Sequence, residues 1–194
     1  MPLGPVGQLL MERRQNEILR EVQGALSQVE ITDFSAFAKS FSRVSVSLAG
    51  CSAPGLSETS FGEDRCYLES QGVVAIISLN ESELDWSLVA PLAHLRCPVE
   101  DYKPPSIAQL EVCKQFWEAH RRDGGVVAVH CNAGMGRTGT VLAALMLCED
   151  AALSADAAIS KIRGLRRGSV QTYKQEDGVR AWKQHLDSQA MAVD

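Results

Sequence analysis

No stretch of this chain stays apolar for the roughly 20 residues that a membrane-spanning helix needs. Its opening, Met1-Pro2-Leu3-Gly4-Pro5, lacks the basic and apolar blocks of a secretory leader and the Gly directly after Met that myristoylation requires. The last residues, Gln189 to Asp194, carry no prenylation box. The expectation is a soluble chain with no membrane partner, placed in the cytoplasm with nuclear entry open to it. Basic charge is also short: 19 Lys and Arg stand against 24 Asp and Glu, for a net charge of −5. That balance argues against a nucleic-acid partner bound by bulk charge. The six cysteines (51, 66, 97, 113, 131 and 148) include no Cys-x-x-Cys pair. A disulfide framework and a zinc site are therefore not expected, and neither a metal nor a cofactor is implied.

What is present is ordinary for a globular domain: 45% hydrophobic and 22% charged residues. At 194 residues, a helical extension over 1–30, one domain over 31–188 and a tail over 189–194 are expected. Leu10, Met11, Ile18, Leu19, Val22, Leu26 and Val29 recur at helical spacing among charges. They predict an amphipathic helix over 8–29 that packs on the domain or meets a partner. Val44-Ser45-Val46-Ser47-Leu48 alternates like a strand, and Val73 to Leu79 is a β-branched run suited to a strand covered on both faces. Short strands are expected near 92–97 and at 126–129. Helices are expected over 62–71, 107–121, 138–149, 154–165 and 172–186, with Ser106 as an N-cap. Cys97, Cys113 and Cys148 fall in apolar periodic segments, as small core residues do. Strands alternating with helices predict an α/β fold, with a central, mostly parallel twisted sheet flanked by helices.

The segment His130-Cys131-Asn132-Ala133-Gly134-Met135-Gly136-Arg137-Thr138 joins a predicted strand to a predicted helix. Gly134 and Gly136 let the backbone amides of Asn132, Ala133 and Met135 turn inward as a nest of donors. The helix N-terminus adds unpaired amides and the positive end of its dipole. Arg137 brings a planar fork that grips two oxygens of a phosphate. The same field stabilises a thiolate, which makes Cys131 a candidate nucleophile aimed at bound phosphorus.

His130-Cys131-x-x-Gly134-x-x-Arg137-Thr138 resembles the active-site pattern of the protein tyrosine phosphatase superfamily. The wider likeness is to its small atypical dual-specificity members. It is carried by Tyr67 to Val73, His94 to Pro105, the loop itself and Gly168 to Glu176, and spans about Phe41 to Trp182. The resemblance implies a hydrolase working on phosphorylated proteins through a phosphocysteine on Cys131, with Arg137 holding the phosphate. It implies that His130 orients the loop and that Thr138 donates to the leaving sulfur. Asp101, followed by Tyr102-Lys103-Pro104-Pro105, matches the family's general acid better than Glu100 does, and Asp85 is a third candidate. Gln175 resembles the glutamine that places water for the second step.

Asn132, Ala133 and Met135 are uncharged, where phosphoinositide phosphatases of this superfamily carry lysines. Monophosphorylated tyrosine, serine or threonine is therefore the expected target. The chain also lacks the Trp-Pro-Asp loop and long insertions of the larger tyrosine phosphatases. Arg163, Arg166 and Arg167 cluster where close relatives carry a Pro in place of Arg167; at least two of the three are expected to be a solvated helix end. The competing readings are a phosphate-binding pseudophosphatase module and a sulfur transferase on a similar loop. The first usually loses the Cys, Arg or Asp that this chain keeps, and Arg137-Thr138 with Asp101 speaks against the second.

Overall fold

The computed structural model describes residues 36–55, 61–82 and 90–191. The predicted helix over 8–29 and Asp85 lie outside the described residues. Five strands are β1 (Ser42–Arg43), β2 (Leu48–Cys51), β3 (Val73–Ser78), β4 (Ala93–Arg96) and β5 (Val126–His130). The α-helices among the described residues are α1 (Ala36–Ser40), α2 (Phe61–Ser70), α3 (Ile107–His120), α4 (Gly136–Glu149), α5 (Ala155–Leu165) and α6 (Tyr173–Met191). The sheet order is β1-β2-β5-β3-β4, with only the β1–β2 pair antiparallel. The mostly parallel α/β sheet is thus as predicted.

Alternation along the strands divides the core in two. Leu48, Ala75, Ile77, Val127 and Val129 point to one face, where Leu110 and Trp117 of α3, Val141 and Leu145 of α4, Ile159 of α5 and Trp182 of α6 cover them. Ala49, Ile76, Val126 and Ala128 point to the other, under Phe37 of α1 and Leu68 of α2. Helix α4 is buried from Gly136 to Leu147, which its apolar sequence predicts. Cys97 and Cys113 are in this core, and Cys148 is half-buried at its margin.

One strand is corrected. Ser45 to Ser47 do not form a ladder; they make the turn between β1 and β2, and the strand starts at Leu48. The Ser45 hydroxyl accepts from the amides of Ser47 and Leu48 at 3.2 and 3.1 Å, a local bond that competes with strand pairing. Both serine hydroxyls also donate to Glu149 Oε1, and Trp117 Nε1 donates to Ser47 Oγ at 3.0 Å. The polar members of the alternation are tied to helices instead of facing solvent, and Val46 is left outside.

Candidate active site

β5 is the middle strand of the sheet, and the loop after it emerges at the carboxyl ends of the parallel strands. That is where open α/β sheets form their crevices. His130 ends β5, Cys131 begins the loop and is 3% exposed, and Gly136 begins α4. Gly134 takes φ 71°, and a Cβ there would lie 2.2 Å from the Cys51 carbonyl oxygen, so only glycine fits this bend. No backbone carbonyl among the described residues accepts from the amides of Asn132, Ala133, Gly134 or Met135. With the first amides of α4 they remain available to an anion.

Arg137 is buried in the first turn of α4, yet its side chain is shared among several groups. Nη1 donates to the Val99 carbonyl at 2.9 Å and lies 3.8 Å from Glu81 Oε2. Nε lies 3.2 Å from Asp101 Oδ1. The two charges attract at that distance, but the N–H does not point at the oxygen, and Nε has no aligned hydrogen bond. The Nε–Nη2 edge is the one left to grip phosphate oxygens. Of the two acid candidates among the described residues, Asp101 is the one beside this guanidinium. Glu100 faces outward and meets Lys103 Nζ at 3.7 Å.

Behind the loop runs a chain of hydrogen bonds across three neighbouring strands. His130 Nδ1 donates to the Cys131 carbonyl at 3.2 Å, which leaves Nε2 to accept from Ser78 Oγ at 2.5 Å. The Ser78 oxygen in turn accepts from His94 Nε2 at 3.2 Å. Burial pushes His130 down to about 4, and His94, partly buried beside Arg96, is also pushed to about 4. Both rings are therefore neutral near pH 7, which these donor and acceptor roles require. Asn80 Nδ2 similarly donates to Asn132 Oδ1 at 2.5 Å.

The segment after α5 closes the other side. Arg166 is buried and donates to the carbonyls of Ser40 at 3.0 Å, Gly50 at 2.6 Å and Gly134 at 2.7 Å, which locks the loop to β2. Arg163 donates to the carbonyls of Ser169 and Val170 and pairs with Glu176 at 2.7 Å. Arg163 and Arg167 are exposed at this helix end, as expected of two of the three, whereas Arg166 is buried. The reason is tertiary: carbonyls at a loop end need donors, and a helix terminus supplies long ones.

Gln175 is not the surface residue its place on a helix suggests. It is fully buried, and Oε1 accepts from the amides of Gln171 at 2.8 Å and Thr172 at 3.3 Å. The Gln175 amide donates to Thr172 Oγ1 at 3.2 Å, completing a capping box at the start of α6. Its Nε2 would lie 2.9 Å from a Cβ on Gly136, so the amide sits against the loop. Thr138 is buried with a hydroxyl that has no partner among the described residues.

Sequence reasoning gave no role to Ser78, Asn80, Glu81 or His94, and named Arg166 only as one of a cluster. Its one available signal was a Ser and an Asn ending an otherwise apolar strand. Among the described residues no cluster of His, Cys, Asp and Glu has the makings of a metal site, and no helix is long and apolar enough to cross a membrane.

The family model described as "Tc-R-P: Polymorphic toxin system, DSP-PTPase phosphatase" matches residues 49–151. The zebrafish (Danio rerio) dual specificity protein phosphatase CDC14AB is 32% identical over 128 residues, covering 63% of this chain and 20% of that protein. The Arabidopsis thaliana phosphatidylglycerophosphate phosphatase PTPMT2 is 31% identical over 112 residues, covering 55% and 49%. The chain spans less than half the length of the curated relatives it matches. Among solved structures, kinase associated phosphatase carrying a serine in place of its catalytic cysteine superposes with a TM-score of 0.69 at 22% identity, over 81% of this chain and 98% of that one. Tk-PTP in its active form gives 0.66 at 23% identity, over 75% and 97%. These superpositions show a shared fold.

Proposed function

The chain belongs to the DSP-PTPase phosphatase family, and from that premise we propose that it hydrolyses phosphate monoesters on proteins through a phosphocysteine on Cys131. The observation that carries this reading is the meeting of Cys131, Arg137 and Asp101 at one loop, with Asp101 Oδ1 3.2 Å from Arg137 Nε.

In the first step the Cys131 thiolate attacks phosphorus, a P–S bond forms and the ester P–O bond breaks. Backbone amides of the loop and the free edge of Arg137 bind the equatorial oxygens, whose charge is matched better in the transition state than in water. Asp101 gives its proton to the departing oxygen. In the second step Asp101 takes a proton from water, the water oxygen attacks phosphorus and the sulfur leaves. The unpartnered hydroxyl of Thr138 is the donor for that leaving sulfur. The buried Gln175 amide, beside Gly136 and Lys103, is placed to orient the water. His130, through the Cys131 carbonyl, keeps the loop amides turned inward.

Uncharged Asn132, Ala133 and Met135 suit a target with one phosphate, and the expected range is phosphotyrosine with phosphoserine and phosphothreonine. Hydrolysis of p-nitrophenyl phosphate by the wild-type chain and by Cys131→Ser tests the reading, together with mass spectrometry after rapid acid quench. The expected result is turnover and a phosphorylated Cys131 peptide in the wild type, and neither in the variant, which still binds vanadate. Undiminished turnover in Cys131→Ser would overturn it.

A further inference from the structure

Two of the three tyrosines in this chain stand in solvent on one side of the loop mouth. Tyr102 is 60% exposed and Tyr173 is 83% exposed. Both line a cavity of about 360 Å³ together with Lys103, Thr172 and Lys174. Tyr102 directly follows Asp101, and Tyr173 begins α6 two residues before Gln175. The cavity adjoins the reacting groups without including Cys131 or Arg137 in its walls, which places it beside the phosphorylated residue of a substrate.

The backbone is arranged to hold this face out. Tyr102 sits at φ 59°, a region that bulky residues rarely occupy. Its amide donates to Asp101 Oδ1 at 3.0 Å, and its carbonyl accepts from Thr172 Oγ1 at 3.0 Å. One tight turn thus fixes the acid, the Tyr102 ring and the first residues of α6 relative to one another. Burial of the ring does not explain the strained turn, because the ring is exposed.

Charge decides what the cavity takes. Lys174 has no ion pair among the described residues, and Lys103 shares only the long, exposed contact with Glu100, which exchanges readily in water. Two ammonium groups therefore face one apolar hollow on a chain whose net charge is −5. Exposed tyrosines supply rigid apolar area with a polar tip, the composition that recurs at protein-recognition surfaces.

We infer that this cavity is a substrate subsite for an acidic side chain flanking the phosphorylated residue of a protein. The methylenes of an Asp or Glu lie on the two tyrosine rings, and its carboxylate meets Lys174 and Lys103. This rests on the reading of the loop as a protein phosphatase site and adds to it a rule of sequence selection.

The test compares kcat/KM on three phosphopeptides alike except for Glu, Phe or Lys beside the phosphorylated residue, with p-nitrophenyl phosphate as a substrate too small to reach the cavity. Tyr173→Ala and Lys174→Glu alter exposed side chains, and circular dichroism checks their folding. The wild type is expected to favour the Glu peptide over the Lys peptide by about fivefold or more, as one or two surface charge contacts allow. Lys174→Glu is expected to cancel or invert that preference, Tyr173→Ala to raise KM on the Glu peptide, and both to leave p-nitrophenyl phosphate turnover unchanged. Equal rates on Glu and Lys peptides, a Phe preference untouched by Lys174→Glu, or an unchanged preference in both variants would sink the inference. The phosphatase reading survives all three results, because it is tested separately by p-nitrophenyl phosphate turnover in the wild type and in Cys131→Ser.

Discussion

Arg137 Nε and Asp101 Oδ1 stand 3.2 Å apart, joining the first turn of the loop helix to the loop that follows β4. The guanidinium is buried and held from behind by the Val99 carbonyl, whereas the carboxylate is 53% exposed. The guanidinium is enclosed by protein, and the carboxylate beside it opens to solvent.

Asp101→Ala is expected to slow turnover by about 10²- to 10⁴-fold on substrates with a basic leaving oxygen, the usual worth of a positioned proton donor. On p-nitrophenyl phosphate, whose leaving group needs little help, the loss should be far smaller. A plot of log kcat against leaving-group basicity checks this, and parallel slopes for wild type and variant would remove Asp101 from the role. Glu100→Ala, which breaks only the exposed contact with Lys103, should leave the plot unchanged.

Arg137→Lys keeps the charge but loses the fork. A single ammonium cannot donate to the Val99 carbonyl and still present two parallel N–H groups to a phosphate. A drop in kcat/KM of about 10²- to 10³-fold is expected, comparable to removing one transition-state donor elsewhere. Vanadate affinity should fall with it, and vanadate binding undiminished in Arg137→Lys would contradict the assignment.

Gly134→Ala tests the bend itself. The added Cβ meets the Cys51 carbonyl at 2.2 Å and must also adopt φ 71°, so the loop has to move away from β2 and break the Arg166 contact. A loss of stability of about 1–3 kcal/mol is expected from the backbone strain alone. Urea denaturation measures it, and turnover should disappear even where the variant remains folded.

Acid should weaken the fold through His130. The buried ring titrates near 4 in the folded chain against the usual 6.5 when unfolded. Between those values the unfolded chain binds more protons, so stability rises with pH across the window and is lost as pH falls through it. From about pH 7.5 to about pH 5 the loss from this residue is about 2 kcal/mol. His94, half-buried beside Arg96, acts in the same direction. Urea midpoints at the two pH values check this for wild type and His130→Asn, and an equal drop in both would exclude His130 as the cause.

Much of the fold could be read along the chain because it rests on local signals. Val73 to Ser78 is rich in β-branched residues and, apart from Val74, buried, Ser106 caps α3 with a full capping box, and Gly72 ends α2 at φ 76°. The strand expected at 44–48 failed because its alternating serines had partners far away, Glu149 and Trp117, that no local pattern reveals. The burial of Arg166 was hidden for the same reason: a helix-end arginine looks solvated until three carbonyls from α1, β2 and the loop surround it. Gln175 was singled out by resemblance alone, and its burial between the start of α6 and Gly136 is a tertiary fact.

The sequence by itself determined the α/β alternation and the loop from His130 to Thr138, because glycines, a helix start and the Cys–Arg spacing act within a few residues of one another. Only the tertiary structure decided which acid faces Arg137, how Ser78 and His94 support His130, and which arginine braces Gly134. Those are contacts between segments distant in the chain. Their geometry is set when β3, β4 and β5 pair side by side and α6 packs its first turn against the acid loop.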